Sequence, residues 1–312
     1  EEIQFEPSQK KKLKTSFSPE HWERDYEKIS TVLIKCEPAV GDSLTMTAIV
    51  RNLKQHHDHL VIYISGNEIT GEIFKHNEDI EDFVLSKSAD EFNLEAMVDV
   101  VIDYNRLLGQ YLEYYNNLPY MDTLANLAGV KLDTRSIVYN VTGNENIWAE
   151  EELREFENAK KVIAVQFHTN KDAKRYYPYG REVLEYIYEQ DPSIRFINLG
   201  TEPIGKEYDF LYDAAAKKID FRRQMAIAAK CDAFLTIDSA FFHVGHNLFN
   251  KPTLVICGVT NPQLIGNPEA GFVYIREESL DCLSCYWQKK CQIECMTQLM
   301  PEKVGEKMMG VI

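Results

Sequence analysis

The clearest chemical pattern in the chain runs from Asp238 to Pro252, and reads Asp-Ser-Ala-Phe-Phe-His-Val-Gly-His-Asn-Leu-Phe-Asn-Lys-Pro. Apolar runs at 233–237 and 253–257 predict buried parallel strands on either side of a short helix. Such a unit places Asp238, Ser239 and the first backbone N–H groups of the helix at the carboxyl end of a sheet, where a phosphate finds donors. The pattern indicates half of a nucleotide-sugar site. Capping of the helix by Asp238 or Ser239 is the structural alternative.

A histidine follows in the same helix. His243 lies four residues after Ser239, so the two side chains face the same side of a helix near its N-terminus. We interpret His243 as a ligand-contacting or positioning residue, and an inert core histidine is the alternative.

A carboxylate occupies the matching place early in the chain. The β-branched run 31–35 predicts a first strand, and Gly41, Asp42 and Ser43 follow it at a turn before a helix. A carboxylate there can accept a proton from an acceptor hydroxyl, as a general base does. Helix capping is again the alternative. The chain contains neither a G-x-G-x-x-G nor a P-loop pattern.

Cations cluster after a third buried run. The strand predicted at 162–167 is followed by a loop that carries Lys171, Lys174 and Arg175. Fixed cations neutralise the charge that develops on a departing diphosphate. A solvated loop is the better interpretation of Lys171, whereas the aromatic and proline neighbours of Arg175 favour a functional role.

Four of the seven cysteines fall close together near the end of the chain, with the spacing C-x2-C-x5-C-x3-C: Cys282, Cys285, Cys291 and Cys295. In a reducing compartment this spacing favours a structural metal over free thiols or two disulfides. Thiolates suit zinc as well as iron, so the spacing leaves the metal open.

Strands and helices alternate in two successive series, which predicts an α/β protein with two doubly wound domains facing a cleft. A tyrosine-rich helix is predicted near 107–116, and Thr142-Gly143-Asn144 has the composition of a boundary. The domains predicted are an N-terminal arm at 1–28, a first domain at 29–158, and a second domain at 159–312 that includes the cysteine finger 282–295.

Composition limits the partners. The chain has 312 residues and a formal net charge of −15, which argues against nucleic acid, because its phosphates are repelled by an acidic surface. No run approaches the roughly 18 apolar residues of a membrane span, and no secretory signal is visible. We expect a cytoplasmic protein that is not an integral membrane protein.

Taken in order, the motifs resemble those of the bacterial heptosyltransferases of glycosyltransferase family 9. The resemblance covers about residues 31–304. It is carried by Gly41-Asp42-Ser43-Leu44 with Thr47 and Arg51, Lys174-Arg175-Tyr176-Tyr177-Pro178, Asp238-Ser239-Ala240 with His243, Lys251-Pro252, Gly258-Val259-Thr260-Asn261-Pro262, Cys295-Met296 and Pro301-Glu302-Lys303-Val304.

The resemblance implies a GT-B architecture with two Rossmann-like domains, and inverting transfer of a sugar, heptose from ADP-heptose being favoured, to a hydroxyl acceptor. It implies a nucleotide-sugar donor, a protein or glycan acceptor and no catalytic metal. The roles it implies are the base for Asp42 and the leaving-group cation for Arg175. The substrate contacts implied are diphosphate and sugar contacts at Asp238, Ser239 and Ala240, nucleoside contacts at Gly200 and Glu202, and further contacts at Gly41, Ser43, Lys174 and His243.

The cysteines are similar to the metal-binding finger of the autotransporter heptosyltransferases, which modify serine hydroxyls and form large homo-oligomers with iron. This resemblance implies a structural iron or zinc and a homo-oligomer. The chain departs from the family pattern at Ala240, where glycine is usual, and at Val244-Gly245, where Leu-Ala is usual. These departures leave open a non-catalytic nucleotide-sugar-binding protein or a metal-linked assembly protein.

Overall fold

The computed structural model describes residues 26–36, 39–104, 118–169, 175–267, 272–285 and 292–312. The chain divides into two units, Glu1–Asn140 and Val141–Ile312. Most of the predicted N-terminal arm and the predicted tyrosine-rich helix lie outside the described residues, as do Lys174 and Cys291.

Unit 1 alternates strands with helices. Its described elements are β1 (Thr31–Cys36), α1 (Val40–His56), β2 (Val61–Gly66), α2 (Glu68–Phe74), β3 (Asp82–Leu85), α3 (Ser86–Glu91), a 3₁₀ turn (Leu94–Met97), β4 (Val100–Asp103) and α4 (Tyr120–Ala128).

The four strands of unit 1 form one parallel sheet in the order β3-β2-β1-β4. Val32, Leu33 and Ile34 of β1 are fully buried, as expected of a central parallel strand covered on both faces. The chain runs from β1 outward to β2 and β3 on one side and returns to β4 on the other. The switch point lies between β1 and β4, and a ligand is expected at the carboxyl ends of these strands.

Unit 2 has the same alternation over a larger sheet. Its described elements are α5 (Gly143–Glu152), a 3₁₀ turn (Arg154–Phe156), β5 (Lys161–Gln166), α6 (Gly180–Gln190), β6 (Ile194–Asn198), β7 (Leu211–Asp213), α7 (Phe221–Lys230), β8 (Ala233–Ile237), α8 (Ala240–His243), a π-helical turn (Val244–Leu248), β9 (Thr253–Ile256), α9 (Pro262–Ile265), β10 (Val273–Ile275), α10 (Glu294–Thr297) and α11 (Pro301–Met309).

The six strands of unit 2 are parallel, in the order β10-β9-β8-β5-β6-β7. The chain leaves the central strand β5 in one direction through β6 and β7, then returns to the other side of β5 with β8. All five residues of β8 are buried. The carboxyl ends of β5 and β8 therefore flank the switch point of this sheet.

The helix α5 belongs to unit 2, whereas the sequence placed the domain boundary between residues 158 and 159. Arg222 donates to the Glu145 carboxylate through Nη2 at 2.8 Å, and the Tyr212 hydroxyl donates to Glu152 at 2.7 Å. These contacts tie α5 to later elements of unit 2. They join residues 60 or more positions apart, so local composition does not reveal them.

None of the described helices combines the length and the apolar character that a membrane crossing requires.

Candidate functional site

Two side chains from neighbouring strand ends meet at the switch point of unit 2. Gln166 ends β5, and Ser239 follows β8 at the N-cap position of α8. The Ser239 hydroxyl donates to Oε1 of Gln166, and both side chains are more than nine-tenths buried. Ser239 makes no side-chain cap bond to α8. The hydroxyl is therefore oriented across the ends of the strands and not along the helix.

The end of a third strand, β6, lies close to Gln166. Gly200, just beyond β6, has a left-handed backbone with φ of +100°, and a Cβ placed there would lie 2.8 Å from Nε2 of Gln166. The Gly200 N–H donates to Gln224 at 2.6 Å, and the Gln224 amide donates back to the Gly200 carbonyl at 2.9 Å. Gln224 thus holds a backbone segment that packs closely against Gln166 and whose conformation favours glycine.

The predicted leaving-group cation lies beside the predicted diphosphate contact. Arg175 Nη1 donates to the Asp238 backbone carbonyl at 3.0 Å and lies 3.6 Å from its carboxylate oxygen Oδ2. The Arg175 side chain keeps 26% exposure, whereas that of Asp238 keeps 10%. Asp238 therefore orients a guanidinium that still reaches solvent, and the planar guanidinium suits a phosphate ligand.

His243 is a neutral residue of this site. Burial, together with the smaller effects of the nearby His246 and Arg175, lowers its pKa to about 3. Asn247 Nδ2 lies 3.3 Å from Nδ1 of His243. A neutral imidazole with one ring nitrogen engaged is suited to hydrogen bonding and not to holding a positive charge.

The neighbouring His246 is structural. Its Nε2 accepts the Asn267 N–H at 3.1 Å, and its ring stacks on Phe242 with centroids 5.5 Å apart. Burial lowers its pKa as well. The two histidines lie where the chain passes from α8 into the π-helical turn. Single π-helical turns occur frequently at functional sites.

The remaining predicted contacts of unit 2 are less enclosed. Ala240 is the first residue of α8 and is half-buried. Glu202 is exposed, and its backbone carbonyl accepts from Asn198 Nδ2 at 2.9 Å. His168, after β5, lies against Tyr176 with ring centroids 4.2 Å apart, and burial lowers its pKa while the Glu202 charge raises it.

In unit 1 the predicted base lies in the first turn of α1. Asp42 Oδ2 accepts the Ala39 N–H at 3.2 Å, and Oδ1 accepts the Tyr120 hydroxyl. Ala39 is the N-cap residue, and the half-buried Asp42 carboxylate binds its N–H from the N3 position; Asp42 also receives a side-chain donor from α4.

The two residues that flank Asp42 contribute to the interior of the unit. Ser43 is fully buried, and its hydroxyl lies 3.3 Å from that of Thr70. The Gly41 carbonyl accepts the Thr45 hydroxyl at 3.0 Å. Of the motif Gly41-Asp42-Ser43, the Asp42 side chain is the one that carries ionisable chemistry.

The cysteine finger is described in part. Cys282 and Cys285 are half-buried, and Cys295 is buried where a Cβ on Gly258 would lie 2.5 Å from its sulfur. Within the described residues, no three His, Cys, Asp or Glu side chains are grouped as ligands of one ion. Cys291 is outside the described ranges. A metal at the finger therefore stays a prediction.

Sequence reasoning missed Gln166, Gln224 and Tyr120. Gln166 carried a signal, since it is an amide in an otherwise apolar strand that ends at the predicted binding edge. Gln224 and Tyr120 carried none, because their partners are 24 and 78 residues away.

Neither a protein family model nor any curated protein matches the chain. The chain does match solved structures. A glycosyl transferase family 9 protein from Veillonella parvula is 14% identical with a TM-score of 0.72, over 92% of this chain and 97% of its own. The Escherichia coli ADP-heptose lps heptosyltransferase II is 13% identical with a TM-score of 0.65, over 90% of this chain and 98% of its own.

A third similar structure is the dodecameric iron-containing heptosyltransferase TibC of enterotoxigenic Escherichia coli, solved with ADP-D-beta-D-heptose. It is 9% identical with a TM-score of 0.62, over 91% of this chain and 76% of its own. At these identities the likeness establishes the fold. The predicted GT-B class, with two Rossmann-like units, is confirmed.

Proposed function

We propose that the protein is an inverting glycosyltransferase that transfers a sugar from a nucleotide-sugar to a hydroxyl acceptor. The observation that carries the proposal is the meeting of three strand ends at the switch point of unit 2. There Gln166 contacts Ser239 and Gly200, and Arg175 lies against Asp238. Doubly wound sheets bind nucleotides at this place.

Unit 2 is proposed to bind the donor. The backbone at Gly200 packs closely against the Gln166 amide at the end of β6, which is where the nucleoside is proposed to bind. Arg175 and the neutral His243 supply a cation and a hydrogen-bonding group for the diphosphate. A fixed cation stabilises the negative charge that grows on the nucleoside diphosphate as it departs.

Unit 1 is proposed to activate the acceptor through Asp42. The acceptor oxygen forms a bond to the anomeric carbon while the bond from that carbon to the diphosphate oxygen breaks. The acceptor proton passes to Asp42, and the nucleoside diphosphate leaves with the bonding electron pair. A single displacement of this kind inverts the anomeric centre. A positioned carboxylate typically contributes 10²- to 10⁴-fold to such a step.

ADP-heptose is the proposed donor, because two of the similar structures are heptosyltransferases named with that compound. The proposed acceptor is a protein serine or a glycan hydroxyl. We further propose a structural iron or zinc at the cysteine finger. Cys282, Cys285, Cys291 and Cys295 would hold it as thiolates, and elemental analysis of the purified protein against a Cys282→Ser variant tests this proposal.

The experiment that tests the function is incubation of the purified protein with ADP-heptose and, separately, with GDP-, UDP- and dTDP-sugars, followed by quantification of the released nucleotide. Release of ADP from ADP-heptose alone supports both the activity and the donor. Release from another nucleotide-sugar supports the activity and rejects heptose. Binding without release from any donor favours the non-catalytic binding protein, and neither binding nor release favours the assembly protein.

A further inference from the structure

One buried tyrosine of unit 1 bonds an ionisable group instead of the backbone. Tyr120 is the first residue of α4 and keeps 6% exposure. Its hydroxyl donates to Oδ1 of Asp42, 78 residues earlier in the chain. The helices α1 and α4 pack against each other, so this bond spans their interface.

Both oxygens of the Asp42 carboxylate have a donor. Oδ2 accepts the Ala39 N–H at 3.2 Å, and Oδ1 accepts the Tyr120 hydroxyl. Two donors on different elements restrict rotation of the carboxyl group about its bond to Cβ. Donors of this kind also favour the ionised form of a carboxylate.

The cations on neighbouring elements bind other carboxylates. Arg51 of α1 lies 2.5 Å from Asp79, and Arg135 lies 2.6 Å from Asp122 of α4. The helix α2, which also packs on α1, carries two further carboxylates, Glu68 and Glu72. Tyr120 thus supplies a neutral donor to Asp42, while these two arginines pair with other carboxylates.

We propose that Tyr120 is a positioning residue for Asp42, which fixes the direction of the carboxylate and stabilises its charged form. The proposal rests on the role assigned to Asp42 in the proposed function. Tyr120 holds the carboxylate for the acceptor hydroxyl and does not itself contact the reacting atoms.

Tyr104 provides a matched control. It is fully buried in the same unit, and its hydroxyl donates to the Leu124 backbone carbonyl of α4 at 2.8 Å. Removing either hydroxyl deletes one hydrogen bond that involves α4. The Tyr120 bond reaches an ionisable group and the Tyr104 bond does not.

The test compares Tyr120→Phe with Tyr104→Phe in two measurements on the full chain. The first is the pH dependence of nucleotide release from the donor that the wild type turns over. In Tyr120→Phe the acid limb moves to higher pH by roughly one unit, as a carboxylate that loses one donor requires. The plateau rate falls about 10-fold, because orientation is lost, and KM for the donor stays within about twofold. Tyr104→Phe keeps the wild-type pH profile.

The second measurement follows the carboxyl carbon of Asp42 by ¹³C NMR during a pH titration, with the resonance assigned from Asp42→Asn. Its transition moves to higher pH in Tyr120→Phe and is unchanged in Tyr104→Phe. An unchanged transition in Tyr120→Phe overturns the positioning role, whatever the activity. If the wild type releases no nucleotide from any donor, the proposed function is rejected. The NMR titration would still show whether Tyr120 affects the ionisation of the Asp42 carboxyl group.

Discussion

The two sheets have the same kind of switch point, but the side chains that lie at the two switch points differ. In unit 2 the ends of β5, β6 and β8 meet at Gln166, which accepts the Ser239 hydroxyl and lies close to Gly200. In unit 1 the corresponding edge carries Asp42, which is held by a backbone N–H and by Tyr120. A buried group of amides and a hydroxyl, with a cation on the same sheet edge, is preorganised to bind a ligand, whereas an oriented carboxylate is suited to moving a proton.

The proposed function gives donor binding to unit 2 and proton transfer to unit 1. Variants in unit 2 should then change the affinity for the nucleotide, and variants at Asp42 should change the rate after binding. A change in transition-state stabilisation without a change in binding marks a group that acts in the chemical step.

The largest effect is expected for Asp42→Asn. The amide cannot accept the acceptor proton, so we expect sugar transfer to fall about 10³-fold while the Kd for ADP stays within about threefold. Transfer is measured as nucleotide release and binding by calorimetry. Asp58→Asn, an exposed aspartate of the same unit, is the control and should keep the wild-type rate. A normal rate in Asp42→Asn would remove the base from this account.

A smaller effect, on binding, is expected for Arg175→Ala. Loss of the guanidinium removes a charge-assisted contact to the diphosphate, which weakens ADP binding by roughly 10- to 100-fold. Arg175→Lys should recover part of the loss, because a lysine keeps the charge without the planar fork. Arg223, whose side chain is 52% exposed, provides the control substitution to Ala. Unchanged ADP affinity in Arg175→Ala would break the assignment of binding to unit 2.

Gln166→Ala should weaken ADP binding by about 5- to 10-fold. The substitution removes the acceptor of the Ser239 hydroxyl and the amide against Gly200, so two binding segments lose their shared support. Calorimetry with ADP measures the effect, and the exposed Gln190→Ala is the control. Equal affinities for the two variants would show that the amide does not organise the site.

The smallest effect concerns stability in acid. Burial raises the pKa of Glu145, but hydrogen bonds from Arg222 and Thr142 outweigh burial and lower the pKa to about 2. Because this pKa lies below its ordinary value, the ion pair stabilises the fold above about pH 4.5 and loses its effect as the pH falls toward 2. At neutral pH Glu145→Gln should lower the free energy of unfolding by roughly 1–2 kcal/mol.

Urea titrations from pH 7 to pH 2.5 measure this effect. The gap in unfolding free energy between wild type and Glu145→Gln should narrow as the pH falls. Glu155→Gln, at an exposed position of the same unit, should show no gap at any pH. A gap for Glu145→Gln that does not depend on pH would mean that the lost stability is not due to ionisation.

The sequence predicts the central strands well. The predicted range 233–237 coincides with β8 (Ala233–Ile237), because buried parallel strands are short apolar runs between polar turns. The strands β7 and β10 have three residues each, too few for a recognisable pattern, and were not predicted.

The sequence predicted the charged residues of the candidate site but not the residues that support them. Asp238 and Arg175 stand out beside a strand and a turn, and the structure brings them together. The sequence did not predict that Ser43 is buried. The helix α1 is buried without interruption from Ser43 to Val50, so its sequence shows no polar face from which the direction of Ser43 could be inferred. Gln224 and Tyr120 are defined by distant partners, which spacing does not encode.

The most direct test of the division between the units measures two quantities on the same preparations of wild type, Asp42→Asn and Arg175→Ala. These quantities are the Kd for ADP and the rate of nucleotide release at saturating donor. We predict that Asp42→Asn keeps the affinity and loses the rate, and that Arg175→Ala loses affinity by at least about 10-fold. If the two variants alter the same quantity to the same extent, binding and chemistry are not divided between the two units.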